Sequence, residues 1–311
     1  MLYFERRELP DEDLEESYKV TICKLNSLGY QGSGDKVRDF DLSRFLNEIS
    51  IKVLDQSQSS HRVGYNWEAF DIDSKEICSD KTFRFDFKYW NTDTREKIST
   101  IFNQYKTNIS DINTITTTRG ISPPADSYVD EPEGYAVVIK SGSNISKQGS
   151  IITKDADWIE KSVYDDFIAQ SISMKSNRNI IKKGDILLSS TGDGTLGKSA
   201  VYDLDYPAIA DGHVTIIRVN KSVIDPYYLC DYLRAGFGSI QVSRLYTGST
   251  GMIELTPDQV DSIAIDMRSS LKEQKTLSKN MRSLELKYLK TLKEAETINE
   301  DALRVLLKAS N

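Results

Sequence analysis

The sequence is poor in residues that hold metals. His61 and His213 are its only histidines, and Cys23, Cys78 and Cys230 stand far apart. No group among them has zinc-site spacing, so a structural metal is not expected. Three cysteines, an odd number, make no disulfide frame and fit a reducing cytoplasm. No apolar run approaches the length that crosses a bilayer, which excludes a membrane-spanning helix. The opening MLYFERRELPDED lacks the apolar core of a signal peptide, so a cytoplasmic protein is expected. Positive charge is short as well: 40 Lys and Arg face 47 Asp and Glu, a net charge of −7. The deficit is uneven, with 11 basic and 17 acidic residues in 1–82, 20 and 24 in 83–268, and 9 and 6 in 269–311. Any surface that binds phosphates must therefore be a local patch. At 39% hydrophobic and 28% charged over 311 residues, the chain is long enough for one large or two modest globular domains.

Most of the information lies in 181–255. Short runs rich in branched residues (Ile186 to Leu188, Ala200 to Tyr202, Val214 to Val219) alternate with Gly, Ser, Thr and Asp, a pattern of short strands joined by exposed polar turns. Within it, Gly192-Asp193-Gly194-Thr195-Leu196-Gly197-Lys198-Ser199 spells both a dinucleotide fingerprint and a phosphate-binding loop. A phosphate loop requires a helix to begin at its lysine and aim free N–H groups at the phosphates. The residues that follow, Ala200-Val201-Tyr202-Asp203-Leu204-Asp205-Tyr206-Pro207, suit a strand entering a turn. No acidic residue follows about 20 residues on at the end of an apolar strand in a repeating strand-helix unit, as a dinucleotide site would want. A nucleotide-dependent enzyme is thus the weaker reading.

The order of these pieces resembles a family. A strand opening on Gly184-Asp185-Ile186-Leu187, the Thr191-Gly192 turn, Gly197-Lys198, and later Tyr246-Thr247-Gly248-Ser249-Thr250-Gly251 before Leu255-Thr256-Pro257 look like the target recognition domain of type I restriction-modification specificity subunits. Gly120-Ile121-Ser122-Pro123-Pro124 with Tyr128, then Gly134 to Lys140 and Ser143-Asn144-Ile145, match its first half. Leu271-Lys272-Glu273-Gln274 sits where that family starts a long helix. The match covers about residues 83 to 290, and its strength lies in order and spacing. The resemblance implies an α+β fold: a mixed, largely antiparallel curved sheet with flanking helices, amino-terminal helices and a long carboxy-terminal coiled-coil helix. It also implies a protein with no catalysis of its own. Such a protein reads one half of a split site in double-stranded DNA and docks on methyltransferase and restriction subunits. With one recognition domain and one spacer helix, the chain resembles half of a calliper, or the carboxy-terminal recognition end of a fused adenine DNA methyltransferase-specificity protein.

Taken in order, residues 11–30 carry Leu14, Tyr18, Ile22, Leu25 and Leu28 at helical spacing, with Asp11 or Asp13 to cap them. A second helix is expected from Leu42 to Leu54. Leu28-Gly29-Tyr30-Gln31-Gly32-Ser33-Gly34 followed by Asp39 and Asp41 resembles the tail of adenine-amino DNA methyltransferases; a helical hairpin packed on the main domain is the alternative. Such a methyltransferase needs an Asn-Pro-Pro-Tyr or Asp-Pro-Pro-Tyr for the adenine and a Phe-x-Gly-x-Gly loop for S-adenosylmethionine, and both are missing. No cofactor is therefore expected in this chain, and S-adenosylmethionine would belong to a methyltransferase part. The expected divisions are a helical segment at 1–54, a linker at 55–82 that includes one short extended piece around Trp67 to Ile72, a recognition domain at 83–268 and a spacer helix at 269–311. Phe83 to Trp90 alternates like a strand, 94–108 suits a helix, 111–119 a strand, and 156–173 an amphipathic helix with Trp158, Ile159, Val163, Phe167 and Ile168 inward. From 269 onward, Leu277, Met281, Leu284, Tyr288, Ala295, Ile298 and Ala302 recur at alternating spacings of three and four, with Thr291 in the row. That stripe needs a partner helix: the chain's own amino-terminal helices, a second copy in a homodimer, or a methyltransferase subunit.

Bases are read by side chains with paired donors and acceptors, while Lys, Arg, Ser and Thr on phosphates fix the register. The polar loops supply the DNA-contact candidates: Arg119, Lys140, Ser143, Asn144, Lys175, Arg178, Thr191, Asp193, Thr195, Lys198, His213, Arg244, Tyr246, Thr247, Ser249 and Thr250. The rival reading is a coiled-coil interaction protein whose middle domain reads no DNA.

Overall fold

The computed structural model describes all residues except 1–16, 32, 54, 56, 58, 81, 83, 174–179, 249–251, 268–269 and 310–311. The chain divides into two compact units, Met1–Ser99 and Thr100–Asn311.

In the first unit, β1 (Lys19–Leu25), β2 (His61–Gly64) and β3 (Trp67–Asp73) form an antiparallel sheet in the order β1-β3-β2. β1 stands where the spacing of Ile22 and Leu25 predicts a helix; Asp11, Asp13 and Leu14 lie outside the described residues. Val20-Thr21-Ile22 is a β-branched run that loses rotamer freedom in a helix and packs well on a pleat. It pairs along its whole length with β3, so tertiary pairing overrides the helical period. Asp41 caps α1 (Leu42–Lys52) through the Arg44 N–H, within the stretch expected to be helical. Residues 61–79, read as part of a linker, hold β2, β3 and α2 (Ser74–Ser79). Ile22, Phe70, Ile72, Ile77, Tyr89 and Trp90 form the core here. Residues 87–90 are helical (α3, Phe87–Trp90), correcting the strand read from alternation. Asp86 accepts the Tyr89 N–H at 3.0 Å as N-cap, and the Trp90 indole donates to the Arg84 carbonyl at 2.6 Å. Those local bonds satisfy the backbone without a neighbouring strand. The α4 helix (Thr92–Gln104) follows.

The second unit is built on two four-stranded sheets. Its elements in order are β4 (Thr107–Asn108), β5 (Ile115–Arg119), β6 (Tyr128–Val129), β7 (Ala136–Ile139), β8 (Asp157–Ile159), α5 (Lys161–Ser173), β9 (Ile186–Ser189), β10 (Ser199–Val201), β11 (Ala208–Ala210), β12 (Val214–Val219), α6 (Pro226–Ala235), α7 (Phe237–Leu245), α8 (Pro257–Asp261), β13 (Ala264–Ile265) and α9 (Leu271–Ala309). One sheet runs β10-β9-β12-β5, all antiparallel. The other runs β11-β7-β8-β6, with β11 parallel to β7 and the rest antiparallel. The expected α+β, mixed and largely antiparallel fold with flanking helices and a long last helix is what forms. Alternation along the central strands divides the core. Leu187, Ala200, Val214 and Ile216 pack with Val137, Ile139 and Trp158, whereas Ile186, Leu188, Val201 and Ile217 pack with Leu229, Leu233 and Leu255. Trp158 and Ile159 are inward as expected, but on β8, because they pair with β6 and β7; the helix begins only at Lys161.

β10 begins at Ser199, so the residues after the Gly-Lys-Ser motif are a strand, as their composition predicts. No helix among the described residues is long and apolar enough to cross a membrane.

Candidate nucleic-acid interface

The ends of several strands in the second unit converge on one rim. Ser190, just after β9, donates its N–H to the His213 carbonyl at 3.0 Å and accepts from the Leu255 N–H at 2.8 Å. Gly192 donates to the Ile253 carbonyl at 3.2 Å. Beyond β5, Gly120 donates to the Val214 carbonyl at 2.9 Å and Ile121 to that of Ala210 at 3.1 Å; beyond β11, Asp211 donates to the Ile139 carbonyl at 3.1 Å. The Gly212 N–H reaches the Ser122 hydroxyl at 3.1 Å. These bonds draw segments 119–122, 139–144, 190–198 and 211–213, and the loop whose described parts are 246–248 and 252–255, into one cluster. Gly120 is required there: a Cβ on it would lie 2.3 Å from both the Ala210 and Asp211 carbonyl oxygens. At Gly248 (φ 94°) a Cβ would stand 2.0 Å from the Met252 oxygen, so the turn that pairs Thr247 with Glu254 also needs glycine.

On this rim Arg119 donates to Glu254 Oε1 at 2.7 Å and to the Leu255 carbonyl at 2.9 Å. Its Nη1 is buried without a hydrogen-bond partner. Burial lowers its affinity for the proton, opposed by Glu254 and Asp211. Lys140 is ion-paired with Asp157, and its ammonium lies 4.7 Å from the Tyr128 ring centre. The bond to Asp157 raises its pKa above the ordinary lysine value, against burial. Thr191 Oγ1 and His213 Nδ1 are 2.9 Å apart, and the His213 N–H donates to Asp211 Oδ1 at 2.8 Å. The Asp211 carboxyl is buried, and burial pushes its pKa up although His213, Lys140 and Arg119 pull it down. The rim thus presents hydroxyls, an imidazole and three cations: Arg119 and Lys140 each already face a carboxylate, and Lys198 has no ion-pair partner among the described residues.

Of the candidates, Arg119, Lys140, Ser143, Thr191, Asp193, Thr195, Lys198, His213, Tyr246 and Thr247 lie on these loops, and Arg244 stands in the last turn of the adjoining α7. Thr195 is turned inward, donating to the carbonyls of Thr191 (2.6 Å) and Gly192 (3.0 Å), and shapes the loop. Asn144 is a correction. It is only 1% exposed, and its amide holds the turn after β7, accepting from the Lys140 N–H at 2.9 Å and donating to the Ile152 carbonyl at 2.8 Å. Lys175, Arg178, Ser249 and Thr250 lie outside the described residues. Sequence reasoning missed Asp157, Asp211, Glu254 and Ser122. Asp211 had a signal, an Asp two residues before a candidate His in a Gly turn, whereas Asp157 and Glu254 are brought in by the fold alone.

A second feature is the docking of α9 on α6. Gln274 Oε1 accepts the Asp225 N–H at 2.9 Å. Further along, Arg234 bonds Asp231 (Nη2 to Oδ1, 2.7 Å) and Glu285 (Nη1 to Oε1, 2.6 Å), while Arg282 stacks 4.2 Å from the Tyr227 ring centre. The apolar row faces away from these anchors: Leu277, Leu284, Tyr288 and Ile298 are exposed. Charge is polarised along the helix. Residues 271–293 hold seven basic and two acidic residues, and 294–301 hold four acidic and none basic.

No family model and no curated protein matches the chain. Among solved structures it is similar to the HsdS subunit from Thermoanaerobacter tengcongensis, at 14% identity over 65% of this chain and 46% of that one, with a TM-score of 0.42. It is similar to a chain solved in work on assembly and conformational transition of the type I R-M system, at 14% identity over 85% and 66% respectively, TM-score 0.42. It is also similar to the type IIG restriction endonuclease BpuSI, at 10% identity over 85% and 35%, TM-score 0.45. This chain therefore spans about a third to two thirds of the length of these solved chains.

Proposed function

We propose that this chain is a sequence-reading component of a restriction-modification system. It binds double-stranded DNA through the rim of its second unit, reads one half of a split site and leaves the chemistry to a methyltransferase partner. The observation that carries this reading is the convergence of five polar loops on one edge, fastened by backbone hydrogen bonds and by the close approach at Gly120. Rigid strands presenting Arg, Lys, His, Thr and Ser at one edge suit base-edge contacts with flanking phosphate contacts. Glu254 and Asp157 hold Arg119 and Lys140 in place; on DNA, each cation exchanges or shares its carboxylate with phosphate or base. The exposed row of α9 is the surface for a partner helix, and its charge polarity favours an antiparallel one. A nucleotide-driven enzyme is disfavoured because β10, not a helix, follows Lys198.

The test is retention of a randomised duplex pool by the purified chain, with and without a methyltransferase subunit, at two salt concentrations. A short enriched motif, bound less tightly at higher salt, supports the reading. A folded chain that enriches nothing in either setting overturns it in favour of a coiled-coil interaction protein.

A further inference from the structure

The loop that spells a phosphate motif without its helix borders an open cavity of about 370 Å³. Lys147, Asp193, Gly194, Lys198, Arg234 and Tyr246 are among its polar and aromatic lining, and Leu196, Leu233, Val242 and Ile253 supply an apolar part. Gly192, Gly194 and Gly197 all take positive φ (89°, 75° and 88°), which winds the loop tightly. Most of its amides are spent internally: Thr195 and Leu196 donate to the Gly192 carbonyl, and Gly197 to that of Ser189. Among the described residues, the amides of Asp193 and Gly194 donate to no protein group. Lys147 and Lys198 have no ion-pair partner among those residues, unlike Arg119 and Lys140 on the rim. Arg234 is already engaged by Asp231 and Glu285. The cavity therefore offers two free ammonium groups and two free amides against one carboxylate, beside an apolar wall.

We infer that this cavity seats one phosphodiester group together with its sugar: the ammonium groups and loop amides face the phosphate, and the apolar wall faces the deoxyribose. Turns with successive outward amides are anion-binding concavities even without a following helix. The inference rests on the DNA-binding reading for the source of the phosphate, and assigns the cavity to sequence-independent affinity while the rim supplies discrimination. Asp193 limits the affinity, so removing its charge strengthens binding.

The experiment compares the full chain with Lys147→Ala/Lys198→Ala and with Asp193→Asn, by fluorescence anisotropy on duplex DNA across a salt series and by retention of the randomised pool. The double variant is expected to weaken binding, to make the slope of log affinity against log salt shallower by about 1, the value of one lost phosphate contact, and to enrich an unchanged motif. Asp193→Asn is expected to bind more tightly. An unchanged slope, or a changed motif, overturns the assignment. Should the wild-type chain bind no duplex at all, titration with inorganic phosphate separates the two ideas. Amide shifts at Gly194 and Lys198 that vanish in the double variant keep the anion seat and discard the DNA reading; no shifts discard the seat as well. Magnesium-dependent ATP binding far tighter than phosphate binding would reassign the cavity to a nucleotide.

Discussion

Each unit of this protein buries an arginine–aspartate arrangement, and the two are finished differently. In the first unit all five donors of Arg62 are used: both oxygens of Asp71 at 2.7 and 2.8 Å, the Val53 carbonyl twice and the Ser59 carbonyl once. Thr21 completes Asp71 at 2.7 Å. In the second unit Arg234 is equally saturated by Asp231, Glu285 and the Lys147 carbonyl. A second arginine, Arg282, is left over: its Nε and Nη2 are buried without hydrogen bonds, as is Asp231 Oδ2, although Arg282 Nη2 lies 3.5 Å from Asp231 Oδ1. The first is a closed brace within one stretch of chain. The second is a joint between elements far apart in sequence, α6 and α9, with polar capacity unused. A buried charge that loses its partner is costly, whereas an incompletely paired one contributes little, so the two should respond to mutation very differently.

Breaking the brace gives the largest effect. Arg62→Ala strands Asp71 and should destabilise the first unit by roughly 3 to 5 kcal/mol. The check is denaturant unfolding followed by Trp67 and Trp90 in a Trp158→Phe background; a loss under about 1 kcal/mol would remove the distinction drawn above. Arg234→Ala comes next, at roughly 2 to 3 kcal/mol, and should act locally. Hydrogen exchange should quicken in α9 around 274–285 while β9 and β12 stay protected. Arg282→Met, which keeps an apolar side chain beside Tyr227 and removes a charge only loosely paired with Asp231, should change stability by less than about 1 kcal/mol.

Acid separates the units by sign. Burial favours a higher pKa for Asp71, but the bonds from Arg62 and Thr21 outweigh it and hold it low. Its contribution is therefore complete above the ordinary carboxylate pKa, near 3.9, and is lost as pH falls through the lowered folded value. Asp231 and Asp211 are raised by burial despite their cationic neighbours. Their ionised forms cost stability at neutral pH, and that cost is relieved as pH falls through the raised values. Mild acid should thus favour the second unit before it harms the first, a difference read from Trp158 against Trp67 and Trp90 in thermal melts. At the rim, Asp211→Asn should tighten DNA binding about fivefold, on the order of 1 kcal/mol of removed repulsion. It should also abolish the Asp211-dependent part of the wild type's gain in affinity on acidification, measured by anisotropy.

How much of this the sequence displays follows from the range of the forces involved. The strands at 186–189, 199–201 and 214–219 and the loops between them are legible because branched residues, glycines and hydroxyls act locally. The length of α9 is legible because nothing interrupts its period. β1 is not, since its apolar spacing suits a helix and only pairing with β3 decides otherwise. Asn144 reads as a surface amide until the Ile152 carbonyl arrives eight residues later to bury it. The partners of Arg119 and Lys140 are likewise invisible, because Glu254 and Asp157 reach them through the fold.

The anchoring of α9 has a mechanical side. Gln274 and Glu285 fix about 16 Å of a helix roughly 58 Å long. The 24 residues beyond Glu285, to the helix's end at Ala309, project as a lever of about 36 Å. A rotation of about 5° at the joint displaces the far end by roughly 3 Å, more than half of a helical turn. The position of the remote end of α9 is therefore sensitive to a handful of side chains on α6.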